Sequence, residues 1–467
     1  MRDSRKKAVF GLAAAALALA ATEVRAANQE VCLRYPVETV DSGLGVDFED
    51  YYALNDEVWP YWKARGAAYQ VLHPDTLAVI KQGYASNDNG CFLLPEGNIP
   101  AGGRVKIAFY LDSLILDHIR VRARTGSPAS CNDDPFADHS GEAAFCQPLV
   151  CVGTSGVLMG PGKKYFDFPC DQPEVTLQAL AAYPVYWWHH FDPAALDYDF
   201  TVTVRHTNGC AGKPVPCSNA GWDFATLGGD EILVNIDNTT EHKYRQKFLV
   251  GHEVGHTLEE SHQFATFGTH EYLYGNGYYD LEGGGAACGS AGEQHALTSL
   301  EYTNDAIMEG FGHFLSADAY NDHNQATGRF TYYKDDLDFP RDIPLEGQTA
   351  FNALAPWESN RFAQRVCDET PSNEGTELDW LRFFWDLHSD VGAADGEHLS
   401  LFKLRVDAGF LFANWAVQNG YDLLQQNVCE GEAAVQAYQA DFLAFAGSDD
   451  MLGGNGVKPT AGAPSCP

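Results

Sequence analysis

Basic residues are scarce in this chain: 30 lysines and arginines face 64 aspartates and glutamates, for a formal net charge of −34 over 467 residues. A field of that sign repels nucleic acid and anionic membranes and favours solubility. The sequence has no Walker-type loop after a strand, no dinucleotide fingerprint and no basic stripe. Nucleotide-dependent and nucleic-acid-binding roles therefore have no support in it, and no nucleic-acid partner is expected. After the first 26 residues no apolar stretch is long enough to cross a bilayer, so no membrane span is expected. Internal repeats are absent as well. The acidic cluster Asp335, Asp336 and Asp338 offers oxygen ligands for a structural Ca²⁺, but without the fixed ligand spacing of an EF-hand loop.

What is present begins at the N-terminus. Arg2, Arg5, Lys6 and Lys7 precede an apolar run from Val9 to Ala21, and Val24-Arg25-Ala26 resembles a signal-peptidase site. Residues 1–26 are thus expected to be a signal peptide cleaved after Ala26, giving a secreted or periplasmic protein. The residue directly after that site is Ala27 and not a cysteine, so no lipid anchor is expected. In an oxidising compartment the twelve cysteines imply at most six disulfides. Cys131, Cys146, Cys151 and Cys170 form one group, Cys210 and Cys217 another, and Cys367, Cys429 and Cys466 lie in the last third.

The chain reads as α+β. From about 30 to 130, short runs of strand length (67–72, 77–80, 91–94 and 104–111) alternate with the turn segments Asn87-Asp-Asn-Gly90 and Pro100-Ala-Gly-Gly103. Residues 27–130 are therefore expected to form a small β-sandwich accessory domain, with 131–171 a cysteine-rich connecting region. A helix is predicted to start near Asp171, with Pro173 in its first turn, and to kink or end at Pro184. Strands follow at 200–204 and 231–236. Asn238-Thr-Thr-Glu241 is a capping box able to open the next helix. Residues 264–293, rich in Gly and Tyr, read as a long surface loop. A further helix carries Leu297, Leu300, Ile307, Phe311, Phe314 and Leu315. The C-terminal part (377–388, 400–418 and 433–445) reads as mostly helical.

The sharpest signal is His252-Glu253-Val254-Gly255-His256. Two histidines four apart on a helix stand one turn above the other on a single face. Their imidazoles can converge on one Zn²⁺, with Glu253 placed to hold and deprotonate a water. A catalytic zinc takes three protein ligands and leaves one position open. Glu309 lies in Asp305-Ala-Ile-Met-Glu-Gly-Phe-Gly-His-Phe, where an inward carboxylate among apolar residues is costly unless paired or metal-bound. Glu301, eight residues earlier and about 12 Å along a helix, is out of reach of the same ion and reads as a surface or outer-layer residue. His262 is the competing third ligand. With Met308 as a turn methionine it would give a metzincin-type arrangement. That arrangement needs a glycine three residues after the second histidine to break the helix, and this chain has Glu259.

HExxH at 252–256 together with Glu309-Gly-Phe-Gly resembles the gluzincins, the thermolysin-like zincin metallopeptidases, over roughly residues 230 to 320. The resemblance implies a zincin-like catalytic domain over 172–467 and a secreted zinc-dependent endopeptidase acting on protein or peptide substrates. It also implies metal ligands His252, His256 and Glu309, and Glu253 as general base. Where those enzymes carry an aspartate four residues after the third ligand, this chain has His313, and Asp305 is an alternative orienting group. Tyr302, Tyr332, Tyr333, His323 and His388 are candidates for stabilising an oxyanion, and nothing selects among them. Two further readings stand beside this one: the metzincin-type enzyme using His262, and a non-catalytic secreted binding protein with an inert zinc site.

Overall fold

A computed structural model describes residues 29–36, 61–85, 89–94, 103–110, 112–116, 119–122, 132, 134–143, 150–153, 157–158, 163–167, 173–191, 200–207, 218–222, 230–235, 247–267, 303–320, 329–330, 343–344, 380–381, 383–385, 420–431, 433–436 and 466. The expected signal peptide, the capping box, the Gly/Tyr-rich loop beyond residue 267, the acidic cluster at 335–338 and the expected helix at 400–418 lie outside these residues.

The N-terminal strands are β1 (Gln29–Pro36), β2 (Tyr61–Lys63), β3 (Ala68–Leu72), β4 (Val79–Tyr84), β5 (Cys91–Leu94) and β6 (Arg104–Tyr110). β7 (Asp112–Leu116), β8 (Ile119–Arg122), β9 (Val150–Val152), β10 (Val157–Leu158) and β11 (Lys164–Asp167) follow. In one sheet β1 pairs with β11 in parallel and with β2 and β5 antiparallel. In another, β6 pairs with β3 on one side and with β9 and β10 on the other, and β4 continues beyond β3. The two sheets meet through stacked Tyr69 and Phe92 (centroids 3.7 Å apart) and through Phe109 against Phe166 (5.2 Å). Alternation builds this contact: Val105, Ile107 and Phe109 on β6 are buried at every second position. The segment expected to be a connecting region supplies β9 to β11. Short alternating runs such as Val150-Cys151-Val152, where only the middle residue is buried, carry the reason. Cys32 and Cys91, opposite one another on β1 and β5, form a disulfide, as do Cys429 and Cys466.

The second half is organised by a mixed sheet. β12 (Phe200–Thr207), β13 (Ser218–Trp222) and β14 (Asp230–Asn235) join β8 and β7 in the order β13-β14-β12-β8-β7. β12 runs parallel to both neighbours, and β13, outermost among the described strands, is antiparallel to β14. Chain from both sides of the expected boundary at 130 thus shares one sheet.

Helix α1 (Pro173–Phe191) packs on β12, β7 and β8, and α2 (Lys247–Phe267) packs on β13, β14 and β12. α3 (Thr303–Tyr320) lies against both helices. Pro184 is expected from sequence to kink or end α1, yet the helix runs through it to Phe191. An internal proline costs a helix about 3 kcal/mol. Burial of Leu177, Leu180, Tyr183, Val185 and Trp188 offsets that cost at about 1.5–3 kcal/mol for each large apolar side chain. Phe311 and Phe314 anchor the other face of α3 against Phe384, beside buried Trp380 and Trp385. α4 (Gly420–Glu430), not anticipated from sequence, and α5 (Ala433–Gln436) complete the described helices.

Candidate metal centre

The site is built where α2 crosses α3, and glycine makes the crossing close. Gly251 and Gly255 lie one turn apart on α2 and bracket His252. A Cβ on Gly255 would stand 3.0 Å from the Gly312 Cα, and one on Gly251 would stand 2.5 Å from Ser316 Oγ. The two backbones therefore touch without intervening side chains. Ser316 Oγ donates to the Phe248 carbonyl at 2.9 Å and fixes the register of the pair. A Cβ on Gly312 would meet His256 Cε1 at 3.0 Å and His252 Nδ1 at 3.1 Å, so that glycine's backbone lies directly against both rings.

This approach brings Glu309 to the two histidines. His252 Nε2 and His256 Nε2 are 3.0 Å apart, and Glu309 Oε2 lies 3.0 Å from the first and 3.1 Å from the second. All three residues are buried. Donors held about 2.05 Å from a tetrahedral ion stand roughly 3.3 Å from one another, close to the observed triangle. Three electron-rich atoms packed this closely away from solvent need a cation among them, either a proton or a metal ion. The donor set of two imidazoles and one carboxylate suits zinc. Glu253, between the histidines in sequence, is buried too.

The electrostatics split the two imidazoles. Burial, assisted by the neighbouring His313 and His256, pushes the His252 pKa down to about 4, against the pull of Glu309. His256 is equally buried, which opposes its charge. The carboxylates of Glu309, Glu259 and Glu253 overcome that burial and hold its pKa well above the ordinary value. Without metal, the surrounding carboxylates favour charge on His256 over His252.

Around the donors, the His252 ring stacks on His313, with centroids 4.0 Å apart and planes 26° from parallel. A stacking ring thus occupies the position at which the resemblance implies an orienting aspartate. α2 continues unbroken past residue 262 to Phe267. The helix break that a third histidine ligand at position 262 needs is therefore not there. The side chains of His262 and Asp305, and the whole of Glu301, Tyr302, His323, Tyr332, Tyr333 and His388, lie outside the described residues. Sequence reasoning missed the role of Gly251, Gly255 and Gly312, and it treated Glu259 only as a missing glycine. The four-residue spacing of Gly251 and Gly255 across the histidine motif was the available signal.

Scanned against models of known protein families, the chain matches none, and no curated protein matches it. Among the described residues, no helix is long and apolar enough to cross a membrane.

Proposed function

We propose that this chain is an exported zinc-dependent endopeptidase of the gluzincin type, with His252, His256 and Glu309 as metal ligands and Glu253 as general base. One observation carries the reading: three donor atoms from two crossing helices converge to about 3 Å in a buried pocket beside a further carboxylate. The disulfides Cys32–Cys91 and Cys429–Cys466 fit an oxidising destination, and the acidic balance fits a soluble exported protein.

Bound zinc supplies Lewis acidity to the attacking water and to the scissile carbonyl. Glu253 takes a proton from that water and returns it to the departing amine, so the C–N bond breaks without expelling an amide anion. To hold the ion, His252 and His256 must present neutral Nε2 lone pairs, and the Gly312 backbone lying against both rings restricts their orientation. β13, outermost among the described strands of its sheet and packed on α2, suits an extended peptide, which would gain main-chain hydrogen bonds along it.

The test is Glu253→Gln in the full chain, assayed on casein or a quenched peptide with zinc content measured in parallel. The expected result is retained zinc with activity lowered by about 10²- to 10⁴-fold. Equal, measurable activity in wild type and variant would overturn the general-base assignment. No hydrolysis by the zinc-loaded wild type on any peptide library would favour an inert binding site.

A further inference from the structure

One carboxylate in the pocket has no part in the chemistry above. Glu259 follows His256 by three residues on α2, on the same side of the helix and about one turn along. Its side chain is only 3% exposed, and its Oε2 lies 3.6 Å from His256 Nδ1. That is the ring nitrogen opposite Nε2, the one facing His252 and Glu309. Glu259 is therefore not a fourth member of the donor triangle. It touches the back of the ring.

Resting on the metal-site reading, we propose that Glu259 is a positioning residue. Its carboxylate, 3.6 Å from His256 Nδ1, attracts the proton to that nitrogen electrostatically, which favours the tautomer that leaves the Nε2 lone pair for a divalent ion. The physical need is plain. A neutral imidazole carries one proton, and a ligand histidine must keep it on the nitrogen that faces away from the metal. An acceptor at that nitrogen selects the tautomer, and an anionic acceptor also strengthens the ring as a donor. A buried carboxylate in turn requires a donor or cation close by, so each group answers the other's burial cost. The two histidines are then held differently. His252 is held by ring stacking on His313 from α3, and His256 by a carboxylate from its own helix. That carboxylate stands at the position where a metzincin-type helix break would need glycine.

The experiment compares wild type, Glu259→Gln, Glu259→Ala and His252→Ala as full-length purified chains. Zn²⁺ affinity is read by competition with a chromophoric chelator, metal-free stability by chemical denaturation, and ligand geometry by the visible spectrum of the Co²⁺-loaded protein. Glutamine keeps the size and an acceptor oxygen but loses the charge, so a purely structural Glu259 would tolerate it. The expected result is about 10- to 100-fold weaker Zn²⁺ binding in Glu259→Gln, with a shifted Co²⁺ spectrum and little change in metal-free stability. Glu259→Ala should be weaker still; if it does not fold, the glutamine variant carries the test. Wild-type affinity and spectrum in Glu259→Gln, with binding lost in His252→Ala, would overturn this inference alone. Zn²⁺ binding absent from wild type, or unchanged in His252→Ala, would overturn the metal-site reading and this inference with it.

Discussion

The Tyr320 hydroxyl, at the end of α3, donates to the Leu180 carbonyl of α1 at 2.7 Å. Leu180 is four residues before Pro184, so its carbonyl is the one that proline deprives of an intrahelical donor. A side chain from the metal-bearing layer thus completes the backbone of the neighbouring helix, at a residue packed among Trp62, Tyr183 and Phe248. Tyr320→Phe should cost about 1–3 kcal/mol, the penalty of a buried carbonyl left without a partner. In a Pro184→Ala background, where the substituted residue restores the helical N–H, the same change should cost distinctly less. Denaturant unfolding of the four proteins in this double-mutant cycle measures the difference. Equal costs in both backgrounds would show that the tyrosine matters for packing and not for the orphaned carbonyl.

The crossing of α2 and α3 makes a second prediction. Gly255→Ala places a methyl group 3.0 Å from the Gly312 Cα and 3.1 Å from its carbonyl oxygen, and backbone yields less readily than a side-chain tip. The helices must separate, at a cost of about 1–3 kcal/mol for an overpacked core. Because Glu309 rides on α3, that separation should also weaken metal binding. Gly312→Ala should act more locally, since its methyl would press on the two histidine rings. Unfolding and Zn²⁺ titration on both variants check this, with Gly255→Ala expected to lose more stability and Gly312→Ala to lose more affinity per unit of stability.

Local pattern made part of this molecule legible. Alternation in Val105, Ile107 and Phe109 marks a strand, and the spacing of His252, His256 and Glu309 marks a shared face on two helices. What stayed hidden depends on partners distant in sequence. Pro184 reads as a kink or an end, and that the helix continues through it is hidden because the donor that compensates, Tyr320, is 136 residues away. β9 to β11 are too short to announce themselves and acquire their meaning from β1 and β6. Glu259 reads in the sequence only as the absence of a helix-breaking glycine, and its approach to His256 Nδ1 is visible only in the folded helix.

The split between the two imidazoles sets a pH dependence. His256 has a raised pKa in the folded metal-free chain, so its proton contributes stability fully below the unfolded value near 6.5. That contribution is lost as pH rises through the folded value. His252, held near 4, acts in the other sense: its neutral form contributes stability above about 6.5, lost as pH falls toward 4. At neutral pH a divalent ion must therefore displace the His256 proton. Calorimetric zinc titrations in buffers of different ionisation enthalpy should report about one proton released per ion. Stripping the metal with a chelator should lower Tm more at about pH 8.5 than at about pH 6.5. Release of no proton would mean that His256 is already neutral without metal.

The identity of the third ligand gives the most direct contest. Glu309 Oε2 is 3.0–3.1 Å from both histidine nitrogens, whereas α2 carries position 262 onward without the break that would swing it back toward them. Glu309→Ala should therefore reduce zinc in the dialysed protein to a small fraction of wild type, and Glu309→Gln, which retains a neutral oxygen, should keep more. His262→Ala should leave zinc content unchanged. Removing Glu309 also leaves His256 with one carboxylate fewer, so its pKa should fall and the proton released on metal binding should shrink with it. Metal loss in His262→Ala alone would reassign the ligand set to one helix and its following turn, and Glu309 would then be a buried partner of His256 with no hold on the metal.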